Sequence, residues 1–169
     1  MTAGRVYNVA LAVTEEALMQ CPECGTSWTA ETTCETYFHQ MLFWETENPA
    51  NWAVHHLTVL CYHAQHSHLY SPDGLRYAQG LLVDFVERGL MPDQVRQQRR
   101  ETVASGNRAW NISSRSAEAG RYPHPIAWTM TAADVVAAGS DAYIESVQHW
   151  AESVLMDLKA SGNLMVEEG

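Results

Sequence analysis

Several things are missing from this chain, and each absence closes off a class of function. No stretch approaches the roughly 18 uninterrupted apolar residues of a membrane span, because the most apolar regions are broken by His, Asn, Gln or acid. Basic side chains are scarce: 10 Lys and Arg against 20 Asp and Glu leave a formal net charge of −10. That balance argues against a general nucleic-acid binder, whose affinity comes mainly from neutralising phosphates. Four cysteines in 169 residues are too few and too unevenly placed for a disulfide scaffold. Glycine-rich phosphate loops are absent, and Ser113 and Ser114 have neither a neighbouring base nor a nucleophile-elbow pattern. No period-two alternation is long enough for a strand, and no internal repeat is evident.

What is present is one domain's worth of chain, 46% hydrophobic. A compact chain of this length removes roughly 70% of its unfolded surface from water, so it can bury a core without disulfides. Residues 6–13 form a short apolar run after Arg5, but Asn8 interrupts it and no small-x-small cleavage pattern follows. A cytoplasmic protein with reduced thiols is therefore expected. Residues 1–20 read as an N-terminal extension, 21–160 as a single helical domain and 161–169 as a flexible tail.

The punctuation is helical. Thr32 or Thr33 can cap a segment reaching Glu47, Asn48-Pro49 marks a turn, and Asn51 can cap a second segment reaching His68. Ser71-Pro72 opens a third helix that runs to Gly89, and Pro92-Asp93 opens a shorter polar one. Residues 107–126 lack periodicity and read as a long loop. Thr131 caps a helix stopped by Gly139; Ser140 or Asp141 opens the last, with Tyr143, Val147, Trp150, Val154, Leu155 and Leu158 on one apolar stripe. The expected fold class is all-α: a helical bundle with a small Cys-rich zinc-binding element over 21–34.

Cys21-Pro22-Glu23-Cys24-Gly25 has the close pairing of thiolate metal ligands, and Cys34 follows at the start of helix one. A tetrahedral zinc site needs a fourth ligand. Simple spacing offers His39, but an ideal helix puts positions 34 and 39 about 140° apart. If helices one and two are antiparallel about the Asn48-Pro49 turn, Cys34 lies level with about Ala64, which brings His66 closest, with His63 as its rival. Cys21, Cys24, Cys34 and His66 are the preferred set, with His39 and His63 as alternates. A closed site of this kind holds the fold rather than doing chemistry.

Five histidines lie between Asn51 and His68. His55, Val59, Tyr62 and His66 fall within about 60° of one another on a helical wheel, opposite Ala53, Leu57, Leu60 and Ala64. His55 and His66 are about 16 Å apart along the axis and cannot share an ion. The same antiparallel register sets Glu45 beside His55, because Glu45 shares a face of helix one with Cys34, Phe38 and Met41. Glu45, His55 and Tyr62 are thus candidates either for a buried packing network or for a catalytic group. Six of the ten basic residues, Arg96, Arg99, Arg100, Arg108, Arg115 and Arg121, form a local patch that could meet an anionic ligand, a nucleic-acid backbone or an acidic protein surface.

The strings CPECG, HQMLFWE, HHLTVLCYHAQH, LYSP and HPIAWTM, spread over residues 21–158, resemble a bacterial family known only as a domain of unknown function. The resemblance implies a paired-Cys element and a His-x6-Tyr-x2-Gln-His pattern, which map onto Cys21, Cys24, His55, Tyr62, Gln65 and His66. The family pattern has Pro after the last histidine where this chain has Ser67. The resemblance implies metal association and no activity.

Three functions follow as expectations. The first is a zinc-stabilised helical module that binds a protein or a small molecule. The second is a metal-dependent enzyme, like the DinB-type bundles in architecture alone, with His55, Glu45 and His124 forming an open site. The third is a redox or metal sensor using Cys21 and Cys24.

Overall fold

The computed structural model describes residues 18–29, 32–103 and 119–165. The apolar run at 6–13, residues 104–118 and residues 166–169 lie outside the described residues.

The chain enters through a two-stranded antiparallel hairpin, β1 (Met19–Gln20) and β2 (Ser27–Trp28), with Met19 opposite Trp28. Strands of two residues are too short to leave an alternation in the sequence, so this element was not anticipated. Helix α1 (Cys34–Glu47) starts where the Thr33 hydroxyl accepts from the Thr36 amide at 3.2 Å, and the Thr36 hydroxyl accepts from the Thr33 amide in return. After Asn48 the backbone makes a 3-10 turn over Pro49–Val54 before α2 (His55–Gln65) begins. The second segment therefore differs from expectation at both ends. Asn48 rather than Asn51 is the capping residue, accepting from the Ala50 amide at 3.2 Å, and α2 stops at Gln65 instead of reaching His68.

Ser71 caps α3 (Pro72–Val86), its hydroxyl accepting from the Gly74 amide at 3.0 Å. Next come α4 (Pro92–Val103) and α5 (Ala132–Ala138), and then a 3-10 turn leads into α6 (Tyr143–Ala160). At the start of α5 the Asp134 carboxylate accepts from the Thr131 amide at 2.7 Å and from its hydroxyl at 2.9 Å. Helix α6 packs on α2, α3 and α5, and α5 packs on α1. The stripe expected on α6 is the middle of the core: Tyr143, Val147, Trp150, Val154 and Leu158 are fully buried and Leu155 nearly so. Burying each Val or Leu contributes about 1.5–3 kcal/mol. Among the described residues no helix is long and apolar enough to cross a membrane.

Residues 119–130 have no regular structure, yet they are tied down along their length. Gly120 donates to the Tyr70 carbonyl at 2.6 Å, the Tyr122 hydroxyl donates to the Ala64 carbonyl at 2.8 Å, and the Gln65 side-chain Nε2 donates to the Met130 carbonyl at 2.7 Å. Farther along, the Thr129 amide and hydroxyl both donate to the Asp157 carboxylate at 2.7 Å. Within this strap, the Tyr122 bond satisfies a carbonyl in the last turn of α2, where helical carbonyls lack partners of their own. Of the tail expected from 161, residues 161–165 are described, and Asn163 among them is fully buried. Its side chain donates to the His124 carbonyl at 2.9 Å and accepts from the His124 amide at 3.0 Å, and Met165 donates to Gln79 at 2.7 Å.

Candidate metal centre

The hairpin turn brings two cysteines together locally. Cys21 accepts from the Gly25 amide through its carbonyl at 3.0 Å and donates its amide to Thr26 at 2.9 Å. Gly25 closes this turn at φ +75°, a backbone conformation that favours glycine. Cys34 comes from the first turn of α1. His66 comes from the point where α2 ends; its backbone has left helical geometry at φ −123° and ψ 66°.

The four ligand atoms of Cys21, Cys24, Cys34 and His66 all lie within 4.8 Å of one another. His66 Nε2 is 3.2 Å from Cys34 Sγ and 3.6 Å from Cys21 Sγ. Tetrahedral bonds of about 2.3 Å to sulfur and about 2.0 Å to nitrogen put neighbouring ligand atoms about 3.5–3.8 Å apart, so this group has nearly the size that one ion requires. The other ring nitrogen, Nδ1, donates to the Tyr62 carbonyl at 2.7 Å, which fixes the tautomer and leaves the Nε2 lone pair for the ion. Burial pulls the His66 pKa down, holding the ring neutral as a ligand must be. The Cys34 thiol is pushed up to about 12 by burial first and then by the sulfurs of Cys24 and Cys21. Burial raises Cys24 too. Burial and the neighbouring sulfurs thus favour the protonated form of Cys24 and Cys34, and a divalent cation among the sulfurs would reverse that preference.

His39 is exposed on α1 and His63 is half-buried between Phe38 and Tyr70; both lie outside this group. Cys34 pairs with His66 and Glu45 with His55, so the middle of the interhelical turn falls at residue 50. The Asn48-Pro49 expectation is one residue short, because the 3-10 turn lengthens the connection. Around the centre, the Trp128 indole donates to the Glu23 carbonyl at 3.0 Å, and the Glu23 carboxylate bonds the His68 ring. Tyr62 is not beside Glu45. Its ring stacks on Phe38 at 4.2 Å and lies 4.2 Å from the His66 ring. Seven residues along a helix carry it about 10 Å from His55, to the cysteine end.

At the other end of the hairpin, Glu45 is 1% exposed and accepts from His55 Nδ1 at 2.6 Å and from the Tyr143 hydroxyl at 2.7 Å. Thr58 completes the chain, 2.8 Å from the same hydroxyl. Sequence reasoning reached the Glu45–His55 pair and missed Tyr143 and Thr58. Tyr143 sits on an apolar stripe, where a tyrosine reads as core, and only its single hydroxyl hinted at a polar role. His124 does not join the pair. It is bonded to Asn163 beyond the C-terminal end of α6, whereas Tyr143 is that helix's first residue, and 18 residues of helix span about 27 Å. Among the described residues the Cys21–Cys24–Cys34–His66 group is the one set of three or more close-set His, Cys, Asp or Glu ligand atoms.

A family model for a family of unknown function, DUF5946, matches residues 19–159. The chain belongs to DUF5946. The match runs from the first residue of β1 to the last turn of α6, so the DUF5946 span contains both the cysteine–histidine group and the Glu45–His55–Tyr143 network. No curated protein and no solved structure gives a significant match to the chain.

Proposed function

We propose that this DUF5946 chain is a zinc-stabilised helical module in which Cys21, Cys24, Cys34 and His66 hold one structural zinc, and that it works as a binding or interaction module. One observation carries the reading: three sulfurs and a tautomer-fixed Nε2 converge within 4.8 Å. Soft thiolates with one imidazole suit zinc, and four protein ligands leave no coordination position for a substrate. The ion ties the N-terminal hairpin to both helices of α1–α2, so its binding free energy becomes folding free energy. All three cysteines are at most 9% exposed, which disfavours a sensor that oxidants must reach. A reducing compartment, the cytoplasm, suits such thiols. The metal-enzyme alternative loses support because, among the described residues, Glu45 and His55 gather no third ligand.

The test is metal content and cobalt substitution. One zinc per chain is expected, falling to a small fraction in Cys24→Ser and His66→Ala and staying whole in His39→Ala. Cobalt should give a tetrahedral spectrum with sulfur-to-metal charge transfer. Full zinc in His66→Ala together with loss in His39→Ala would overturn the ligand assignment, and full zinc in Cys24→Ser would overturn the site.

A further inference from the structure

A second concave site lies on the far side of α2. Helices α2, α3 and α4 enclose a cleft of about 470 Å³, within the range of roughly 300–1,000 Å³ that small-molecule sites occupy. Leu60, Leu81, Phe85 and Val95 give it an apolar lining, and the His56 ring meets the Phe85 ring edge-on at 4.5 Å. Two cations border it. Arg96 and Arg100, one turn apart on α4, both line the cleft together with Val95. This is where part of the basic patch seen in the sequence comes to rest, on a protein whose net charge is −10.

The Arg96 charge reaches into the cleft. After burial and the neighbouring His55, it is the third cause that holds the His56 imidazole below its ordinary range. Arg96 also bonds Asp93 at 2.5 Å, but those side chains are 66% and 92% exposed, and an ion pair so exposed is worth little. It does not compete seriously with a ligand anion held in a half-dry cleft. Glu45, the hydrogen-bond partner of the lining residue His55, is buried and already accepts two hydrogen bonds. His55 itself lines the wall with Nδ1 committed to Glu45, so its orientation is fixed before a ligand arrives.

We infer that the α2–α3–α4 cleft binds a small amphipathic anion, with its apolar body among Leu60, Leu81, Phe85 and Val95 and its anionic head on Arg96 and Arg100. The guanidinium fork suits a carboxylate or phosphate, and the apolar lining excludes ligands that are all charge. The inference is independent of the zinc reading, since no residue of the metal group lines this cleft.

The test uses the zinc-loaded full chain and three probes that share one apolar body: phenylbutyrate, phenylbutanol and phenylbutylamine, titrated by calorimetry. Phenylbutyrate should bind, phenylbutanol should bind about tenfold more weakly or worse, and the amine should not bind detectably. Arg100→Gln should weaken the acid toward the alcohol's affinity, with Arg96 keeping part of the preference, and leave the alcohol unchanged. Val59→Trp, at a half-buried position in the lining, should abolish binding of the acid. Circular dichroism and zinc content report whether each variant is folded. Equal affinity for acid and alcohol, binding of the amine as tight as the acid, indifference to Arg100→Gln, or no binding by any probe would each overturn the inference.

Discussion

The buried carboxylate at position 45 makes a stability prediction that pairs of substitutions can isolate. The Tyr143 hydroxyl donates to Glu45, so Thr58 must in turn donate to Tyr143 or to the Val54 carbonyl at 3.3 Å. Tyr143→Phe removes one of two donors to a carboxylate that is 1% exposed, and hydrogen bonds to charged groups are worth about 1.5–3 kcal/mol. In a Glu45→Leu background the chain of hydroxyls can reverse, with Tyr143 donating to Thr58 and Thr58 donating to Val54. There the same Tyr143→Phe change removes a neutral bond of about 0.5–1.5 kcal/mol. His55 adds little to the difference, because its side chain is 36% exposed and water can replace the lost partner. The expected coupling is therefore about 1–2 kcal/mol, measurable by urea denaturation of the zinc-loaded protein as unequal midpoint shifts. If Tyr143→Phe costs the same in both backgrounds within about 0.5 kcal/mol, the carboxylate is not the acceptor and the network is misread.

Two further outcomes are expected. Gly120→Ala should destabilise by about 1–3 kcal/mol in the same assay, since a Cβ there would lie 2.9 Å from the Ser67 carbonyl oxygen and 3.1 Å from that of Tyr70, both backbone atoms; a neutral result would mean that the strap can move away from the end of α2. Burial lowers the folded-state pKa of His56, so the unfolded chain takes up a proton there that the folded chain resists. Its contribution is complete above the unfolded value of about 6.5 and is lost as pH falls below it, so His56→Gln should flatten the acid limb of stability relative to the unsubstituted chain.

The parts of the fold legible in the sequence are those encoded within a few residues. Thr33, Ser71 and Thr131 announce their helices because a hydroxyl must satisfy amides one turn on, and the α6 stripe is read from its helical spacing. The pairing of Cys34 with His66 needed only two straight helices and one turn. What stayed hidden depends on distant chain. Nothing near Gln65 stops a helix; α2 ends there where Tyr122 and Met130, more than fifty residues later, supply hydrogen-bond partners. The Glu45–Tyr143 bond joins residues 98 positions apart, beyond any periodicity. The cleft was equally invisible, because it depends on how α4 leans against α3, although its two arginines were already conspicuous.

The bond from Trp128 to Glu23 spans 105 residues, and that distance is also an interval of time. At synthesis rates of about 5–20 residues per second, the cysteine turn leaves the ribosome roughly 5–20 s before its tryptophan cover is made. His66 is made well within that wait. During it the three thiols stand in open solvent, exposed to oxidation and to any passing metal. A chain that seizes its ion through Cys21 and Cys24 while still being translated protects its own sulfurs until the strap closes over them. On the proposed zinc reading, the order of residues sets a schedule in which the metal comes first and the wrapping comes last.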